Sequence, residues 1–377
     1  MRIQKLKMVS FVLALGLIVT EFSGINQMYA AEIDEPFFED ENLIENDPTL
    51  EEIPIEPPIE IIPQVEKLSE VEVVKGKKKK IALKKHKATN FVWASSKPKV
   101  ATISKNGYVK GISTGKTTIT ASNGEVVYKC VVKVYASKKY VNEWVLKKGR
   151  YYYYNQYGEK ATGKVKIGKT TYFFDNEGKQ HVGWIKQSGK YYYYQIDKKN
   201  KGYMLTNQQV NGITLSKNGA AKVTTKNKKK LQLFVDACDS VFEETNWDMT
   251  RKEALKTMFI KLAKNEIISY KTIGHFRNIE QWDVYYANQY FANGFGDCYT
   301  YASAMAYFAI ALGYEDVWLC SSGSHGWCQI DGLYYDPRYA NWGTSDMMKA
   351  FAVPDELCGK GGRMNWKRYS YHRCKVD

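Results

Sequence analysis

An aromatic repeat with a period of 20 residues, in residues 141–222, constrains the fold more than any other feature of the 377-residue chain. Its tyrosine and phenylalanine clusters recur at one phase: Tyr151 to Tyr154, Tyr172 to Phe174 and Tyr191 to Tyr194. Gly163 and Gly183 also lie one period apart. Because a unit this short cannot bury an apolar face alone, neighbouring units must stack. The sequence therefore predicts a solenoid of β-hairpins.

The third unit of the repeat carries its clearest signature. Its sequence from Gly183, GWIKQSGKYYYY, resembles the cell-wall-binding repeats of the choline-binding type. The resemblance implies that aromatic side chains of adjacent hairpins enclose a quaternary ammonium or stack on wall sugars, chemistry that cation–π attraction explains. The candidate side chains are Trp144, Tyr152, Tyr172, Trp184 and Tyr192. Lys164 stands where the repeat has tryptophan, and the fourth copy, from Val210, lacks the aromatics. Choline, another wall glycan and a purely structural ladder therefore stay open.

A cysteine, a histidine and an aspartate follow one another in the C-terminal part of the chain, as Cys298, His325 and Asp336. Apolar residues recur at helical spacing from Cys298, and Asp297 is a typical N-cap residue, so we predict a buried helix that begins at the cysteine. The unpaired N–H groups of a first helical turn favour a thiolate. A thiol acyl-transfer enzyme uses these three residue types as nucleophile, base and orienting group.

A hairpin turn relates the histidine to the aspartate. Asp331 and Gly332 form a two-residue turn signal between two alternating runs. We predict that the second strand continues through Asp336 and brings Arg338 opposite His325. His325 and Asp336 would then be diagonal neighbours on one face, about 7–8 Å apart at the backbone. Their side chains can meet across that distance.

The same segment resembles the transglutaminase-like (transglutaminase-core) superfamily. The motifs that carry the resemblance are Gly296-Asp297-Cys298, Ala311-Leu312-Gly313, His325-Gly326-Trp327 and Asp336-Pro337. The resemblance implies an α+β, papain-like fold over residues 225–377, with Cys298 as nucleophile, His325 as general base and Asp336 as orienting acid. Side-chain donors to the oxyanion are expected from the preceding helix, with the candidates Trp282, Tyr285, Tyr286 and Gln289. The sequence has no calcium-loop signature and no zinc-ligand spacing, so we expect no metal and no cofactor.

Three segments precede the repeat. Residues 1–31 combine a basic end, a short apolar run and a small-residue site, which predicts a secretory signal peptide. Residues 32–63 hold twelve acidic residues, six of the nine prolines and no lysine or arginine, which predicts a disordered linker. Residues 64–136 read as short strands. Their strings Trp93 to Ile103, Gly107 to Gly111 and Gly115 to Ala121 resemble the bacterial Ig-like group 2 domain, which implies an all-β sandwich that acts as a spacer.

Charge is distributed unevenly along the chain. Residues 1–31 carry +2 and residues 32–63 carry −12 of the net +15, so residues 64–377 carry +25. A basic body suits a polyanionic surface such as a wall polysaccharide or teichoic acid. We expect no nucleic-acid partner because the chain is exported, and no transmembrane segment in the mature chain because no other apolar run is long enough. The expected product is secreted and attached to the bacterial wall non-covalently.

The seven cysteines leave disulfide pairing open. Cys320 with Cys328, and Cys358 with Cys374, are possible pairs in an exported protein, but the placement of the cysteines in the sequence favours small buried apolar residues. An odd number of cysteines leaves at least one thiol unpaired, as a nucleophile requires.

The residues support two classes of function. In the first, Cys298 forms an acyl-enzyme with an amide or peptide substrate and passes the acyl group to an amine or to water. In the second, the chain is a non-enzymatic wall-binding protein or adhesin whose C-terminal module is degenerate. A peptidoglycan endopeptidase with an Asp-Cys-Ser-Gly motif fits less well, because Tyr299 and Thr300 follow Cys298.

Overall fold

The computed structural model describes residues 63–84, 86–196, 201–264, 269–272, 281–368 and 372–376. The predicted signal peptide and nearly all of the predicted acidic linker lie outside the described residues. Within the described ranges the chain is strand-rich up to residue 214, and its α-helices begin at residue 228. No helix in these ranges has the length and apolar character needed to cross a membrane.

The first described domain is built from two β-sheets. Its strands are β1 (Gln64–Lys67), β2 (Val71–Val74), β3 (Lys78–Lys80), β4 (Val92–Ser95), β5 (Ala101–Ile103), β6 (Tyr108–Gly111), β7 (Gly115–Ser122) and β8 (Val126–Tyr135). One sheet contains β1, β2, β4, β7 and β8, and the other contains β3, β5 and β6. Buried residues alternate along β7 and β8, as expected for strands with one face on a core. Val109 of one sheet and Ile119 and Val132 of the other share that core, which confirms the predicted all-β domain.

Four antiparallel hairpins follow in the described residues between 143 and 214. They pair β9 (Glu143–Lys147) with β10 (Arg150–Tyr154), β11 (Gly163–Ile167) with β12 (Thr170–Phe174), β14 (Gly183–Gln187) with β15 (Lys190–Tyr194), and β16 (Gln209–Val210) with β17 (Ile213–Thr214), while β13 (Gln180–His181) joins β12. The first three hairpins begin 20 residues apart, as the repeat predicts. Lys148-Gly149 and Ser188-Gly189 have positive φ at both turn positions, the geometry that suits the twist of paired strands.

Helices and a mixed set of strands form the C-terminal part. The helices are α1 (Lys228–Glu244), α2 (Arg251–Ala263), α3 (Trp282–Asn288), α4 (Cys298–Ala311) and α5 (Pro337–Trp342), and a π-turn, Gln289–Asn293, continues α3. The strands are β18 (Ser269–Tyr270), β19 (Phe295–Gly296), β20 (Val317–Ser321), β21 (Gly326–Ile330), β22 (Leu333–Tyr335) and β23 (His372–Lys375). The sheet β22-β21-β20-β23 packs on α4 through β20 and β21. Every residue of α4 after Cys298 is buried, so α4 is the central helix.

The predicted start of the helix at Cys298 is confirmed, and α2 also begins with a side-chain cap. The Asp297 side chain accepts a hydrogen bond from the Tyr299 N–H at 3.1 Å, and α4 begins at Cys298. Thr250 and Glu253 form a capping box at the start of α2. Each cap satisfies N–H groups that a helix start otherwise leaves without partners.

The hairpin around the predicted site is shorter than the sequence indicates. β21 and β22 pair in the predicted register as far as Tyr335. Beyond that residue the predicted strand is wrong, because Asp336 caps α5 and Arg338 lies in this helix rather than opposite His325. Pro337 explains the change: a proline has no N–H for a strand ladder, and its φ suits the first position of a helix.

The third and fourth hairpins share one hydrophobic core with the helices. Trp184 of β14 stacks on Phe234 of α1, with ring centroids 6.1 Å apart, and Phe234 packs in turn on Tyr307 of α4. Ile213 and Leu215 from the fourth hairpin belong to the same core. The repeat and the helical segment are therefore packed together rather than joined by an extended linker.

The seven cysteines all lie in the described part of the chain, and none forms a disulfide there. Cys320 lies opposite Trp327 on β21, whereas Cys328 lies opposite Leu319 on β20. Because successive side chains of a strand point to opposite faces, the Cys320 and Cys328 thiols are on different sides of the sheet. Cys358 and Cys374 pack as partly buried side chains against the same core. These positions indicate that the four cysteines pack as small apolar residues and are not disulfide partners.

Candidate active site and wall-binding repeats

His325 lies in a tight turn between β20 and β21. Its N–H donates to Oγ of Ser322 at 3.2 Å, and its carbonyl accepts from the N–H of Ser322 at 3.0 Å. This exchange holds the backbone of the turn, and the imidazole extends from it towards the start of α4.

The imidazole of His325 contacts both Cys298 and Asp336. Its Nε2 atom lies 2.6 Å from Oδ2 of Asp336, and the ring also interacts with the Cys298 side chain, which helps to raise the pKa of the imidazole. The Asp336 side chain is fully buried, the His325 side chain is 15% exposed, and Cys298 is half-buried. The three residues that the sequence singles out are therefore neighbours, with the sulfur at the more accessible end.

Asp336 is held by further donors in addition to the imidazole. Its Oδ1 accepts from the N–H of Tyr339 at 2.9 Å, in the first turn of α5. Its Oδ2 accepts from Nε1–H of Trp366 at 3.0 Å. Trp366 is fully buried and stacks on Tyr334, with ring centroids 5.6 Å apart. A buried carboxylate is costly unless it is hydrogen-bonded, and these donors also fix the direction in which Oδ2 meets His325.

Trp366→Phe should slow the acyl transfer that the sequence predicts for Cys298. The expected loss in rate is about 10- to 100-fold, as for one hydrogen bond to a charged group. The ring packing on Tyr334 would be kept, while Oδ2 of Asp336 loses a donor. The initial rate of acyl transfer or hydrolysis by the variant measures the loss. Trp318→Phe makes the same substitution on β20 and is the matched control. A rate equal to that of the control variant would contradict the role of the indole N–H.

The pKa of His325 is raised to about 10. Burial alone would lower it, because a buried imidazolium loses its hydration, but the Asp336 carboxylate and, to a smaller extent, Cys298 outweigh burial. His325 therefore carries its proton at neutral pH. The ion pair with Asp336 stabilises the fold fully below the unfolded pKa of about 6.5, and this contribution is lost as the pH rises through about 10.

We expect His325 to lose its proton as the pH rises through about 10. Asp336→Asn removes the charge that holds this proton and should lower the pKa of His325 by about 1 to 3 pH units. An NMR titration of the His325 imidazole in both proteins measures the difference. A pKa of His325 that does not change in Asp336→Asn would contradict the ion pair.

Strand β21 lies close against the first turn of α4, and Gly326 permits this approach. A Cβ on Gly326 would lie 2.6 Å from Cδ1 of Tyr299. Tyr299 cannot easily move, because it stacks on Tyr286 with centroids 5.0 Å apart and its hydroxyl accepts from Oγ–H of Ser321 at 3.1 Å. A larger residue at position 326 would push His325 away from α4.

The candidate oxyanion side chains lie on α3 and on the π-turn that follows it: Trp282, Tyr285, Tyr286 and Gln289. Trp282 and Tyr286 are buried, and both pack against Tyr299. Tyr285 packs edge-on against Tyr286, and the side-chain carbonyl of Gln289 accepts from Nδ2–H of Asn293 at 2.8 Å. The three aromatic residues thus contribute to packing beside the site, and an oxyanion role for any of the four stays a prediction.

Lysines of the chain lie over the aromatic rings of the hairpins. The distance from Nζ to the ring centroid is 4.0 Å for Lys164 on Tyr192, 5.1 Å for Lys160 on Tyr152 and 5.7 Å for Lys201 on Trp144. These distances are in the range of cation–π attraction. Burial, together with the charge of Lys190, lowers the pKa of Lys164. The lysine ammonium groups of the chain therefore lie over aromatic rings that, by resemblance to the choline-binding repeats, are predicted to bind the cation of a ligand.

Trp184 is not available to a wall ligand, and its prediction as a binding residue is wrong. It is 1% exposed because α1 covers it, and its Nε1–H donates to Oδ1 of Asn211 at 2.9 Å. Tyr172 is half-buried, packs on Trp144 with centroids 4.9 Å apart, and accepts a hydrogen bond from Oγ1 of Thr170. A sequence repeat has an aromatic residue at the same position of each unit, whether that residue is exposed to solvent or packed against another part of the chain. The repeat pattern alone therefore cannot distinguish a binding aromatic from a buried one.

No curated protein matches the chain. Among solved structures, the chain is similar to choline-binding protein F of Streptococcus pneumoniae, solved with a peptidoglycan analogue, at 26% identity over 22% of this chain and 26% of that one, with a TM-score of 0.20. A choline-binding domain from Streptococcus pneumoniae is 26% identical over 23% of this chain and 100% of its own length, with a TM-score of 0.21.

An endolysin of phage Cp-1 complexed with choline is 28% identical over 27% of this chain and 29% of its own, with a TM-score of 0.17. The chain spans about a quarter of the length of choline-binding protein F. The N-terminal sandwich, residues 67–134, matches the family model of the bacterial Ig-like domain (group 2).

Proposed function

We propose that the chain is a secreted, wall-associated thiol enzyme of the transglutaminase-like kind, which acts on amide bonds. The series of neighbouring side chains from half-buried Cys298 through His325 to buried Asp336 carries the proposal. The papain-like fold that the resemblance implies is part of the same proposal. The central helix that begins at Cys298 and the sheet packed against it support it.

In the proposed reaction, the Cys298 sulfur attacks the carbonyl carbon of a carboxamide or peptide. The backbone N–H groups at the start of α4 stabilise the oxyanion that forms. His325 gives its proton to the leaving amine, and the acyl group stays on the sulfur as a thioester. An amine or water then attacks the thioester, returns a proton to His325 and releases the Cys298 thiolate. Asp336, held by Trp366, stabilises the imidazolium before the first proton transfer and after the second.

Product analysis by mass spectrometry tests the proposal. The full-length chain would be incubated with glutamine-containing peptides, with and without a labelled primary amine. Amine incorporation that requires Cys298 would support a transglutaminase, and hydrolysis alone would support a protease or amidase. If wild type and Cys298→Ala give the same product spectra, the enzyme proposal fails, and a non-enzymatic wall-binding protein takes its place.

The hairpins support the wall association. Residues 64–377 carry +25, and Lys160, Lys164 and Lys201 bring part of that charge onto the aromatic rings of the repeat. An aromatic ring whose face is already covered by a lysine ammonium binds choline less well. The ammonium itself attracts an anion. We therefore propose an anionic wall polymer, such as a teichoic acid, as the partner of the repeats.

The chain bound to purified Gram-positive walls should be released by salt and not by choline. Raising the salt from about 0.1 M to about 1 M shortens the Debye length from about 10 Å to about 3 Å, which screens the lysines. Lys164→Trp restores the aromatic residue of the repeat pattern and is expected to make binding sensitive to choline. The bound fraction after each wash measures both effects. Release of the wild-type chain by choline at constant ionic strength would contradict the anionic-partner interpretation.

A further inference from the structure

A cavity of about 440 Å³ lies between the hairpins and the C-terminal helices. Its apolar lining is contributed by Val182, Ile196, Val241, Phe242, Met249 and Leu312. Cys298, His325 and Asp336 are not part of its lining. The C-terminal end of α4 borders the cavity, and Cys298 lies at the other end of this helix, about 20 Å away at 1.5 Å per residue. The cavity is therefore separate from the candidate active site.

Two arginines are the charged residues of this lining, which contains no aspartate or glutamate among the described residues. The Arg150 guanidinium lies 4.3 Å from the ring centroid of Phe242 and donates to the Phe242 carbonyl. Nη1 of Arg251 donates to the carbonyl of Gly313 at 2.9 Å. Because a guanidinium has five N–H groups, these contacts leave donors for a further acceptor.

The electrostatic surroundings of the cavity favour a negative charge. Burial lowers the pKa of Arg150, because its positive charge is poorly hydrated at this position. Thr250, Arg251 and Ala254 line the cavity with the first turn of α2, whose start is capped by Glu253, a residue outside the lining. A carboxylate would be attracted by both arginines, and the apolar lining would take up the rest of such a molecule.

We propose that this cavity is a binding site for a small apolar carboxylate, whose acid group meets Arg150 and Arg251. Its volume lies in the range of about 300 to 1,000 Å³ that is usual for ligand sites, and such sites are commonly apolar with a few polar groups. Guanidinium–carboxylate pairs can form two parallel hydrogen bonds, which makes them strong and directional. The site connects the hairpins to α1, α2 and α4, and it does not depend on Cys298 or on the proposed function.

Isothermal titration calorimetry of the full-length chain tests the site with 2-naphthoate and with its neutral analogue 2-naphthamide. Naphthoate should bind, and the amide should bind at least about tenfold more weakly, because it lacks the charge that the arginines attract. Arg251→Gln should weaken naphthoate binding about tenfold. Arg373→Gln is the matched control: it removes the same charge from an arginine that lies 4.2 Å from the Trp318 ring, outside the cavity.

A second variant tests the position of the site independently of charge. Ala254 is buried and lines the cavity, so Ala254→Phe should fill it and abolish naphthoate binding. Thermal unfolding of this variant establishes that it is folded. The absence of heat with naphthoate, equal affinities for acid and amide, or unchanged binding in Arg251→Gln would each overturn the proposal.

Discussion

Cys298→Ala should abolish the activity, with a loss of about four orders of magnitude or more, and His325→Ala should match it within about tenfold. The two residues act as a unit, since the imidazole contacts the sulfur directly and supplies the proton for the leaving group. The rate of amine incorporation or of hydrolysis measures the loss. Cys358→Ala is the matched control, because Cys358 is also half-buried and its thiol donates to the Pro354 carbonyl rather than interacting with His325.

Two results would count against this assignment. Activity retained in Cys298→Ala would exclude the thiol as nucleophile. Loss of activity in Cys358→Ala would indicate that cysteine substitutions act through the fold rather than through the chemistry. Asp336→Asn should cost less than either main variant, because the single side-chain oxygen of asparagine can still accept one of the two hydrogen bonds that Trp366 and Tyr339 donate to different oxygens of Asp336.

Trp184→Ala should lower the free energy of unfolding by about 3 to 5 kcal/mol, the usual cost of removing a buried tryptophan. The indole stacks on Phe234 and donates to Asn211, so the variant loses packing and a hydrogen bond together. Urea unfolding followed by far-UV circular dichroism measures the change. Trp144→Ala is the matched control, because Trp144 occupies the same phase two periods earlier and is only half-buried.

The same experiment tests the shared core. If the third hairpin and the helices form one core, they should unfold in a single transition that Trp184→Ala shifts as a whole. Equal effects of Trp184→Ala and Trp144→Ala, or separate transitions for hairpins and helices, would contradict the shared core.

Features that depend on neighbouring residues could be predicted from the sequence. Asp297 and the apolar spacing after Cys298 predict the start of α4, and the Asp331-Gly332 turn predicts the register of β21 and β22 as far as Tyr335. The contact between His325 and Asp336 depends mainly on that register. It is therefore present although Asp336 caps a helix and does not lie on a strand.

Features that depend on packing between distant segments could not be predicted in the same way. Trp366 reaches Asp336 from 30 residues further along the chain, in a stretch without a motif. The burial of Trp184 is decided by α1, and nothing in the repeat itself signals that helix. The position of Lys164 over Tyr192 depends on how adjacent hairpins stack, although its replacement of tryptophan was a local signal.

Selective alkylation tests the central claim most directly. The full-length chain would be treated briefly with iodoacetamide at pH 6, and the modified fraction of each cysteine would be measured by peptide mass spectrometry. A cysteine paired with a protonated imidazole reacts where ordinary thiols do not. We predict that Cys298 is alkylated at least about tenfold faster than Cys358 in the wild-type chain, and at least about tenfold more slowly in His325→Gln than in the wild-type chain. Equal rates at Cys298 and Cys358 in the wild-type chain would contradict the thiol-enzyme account.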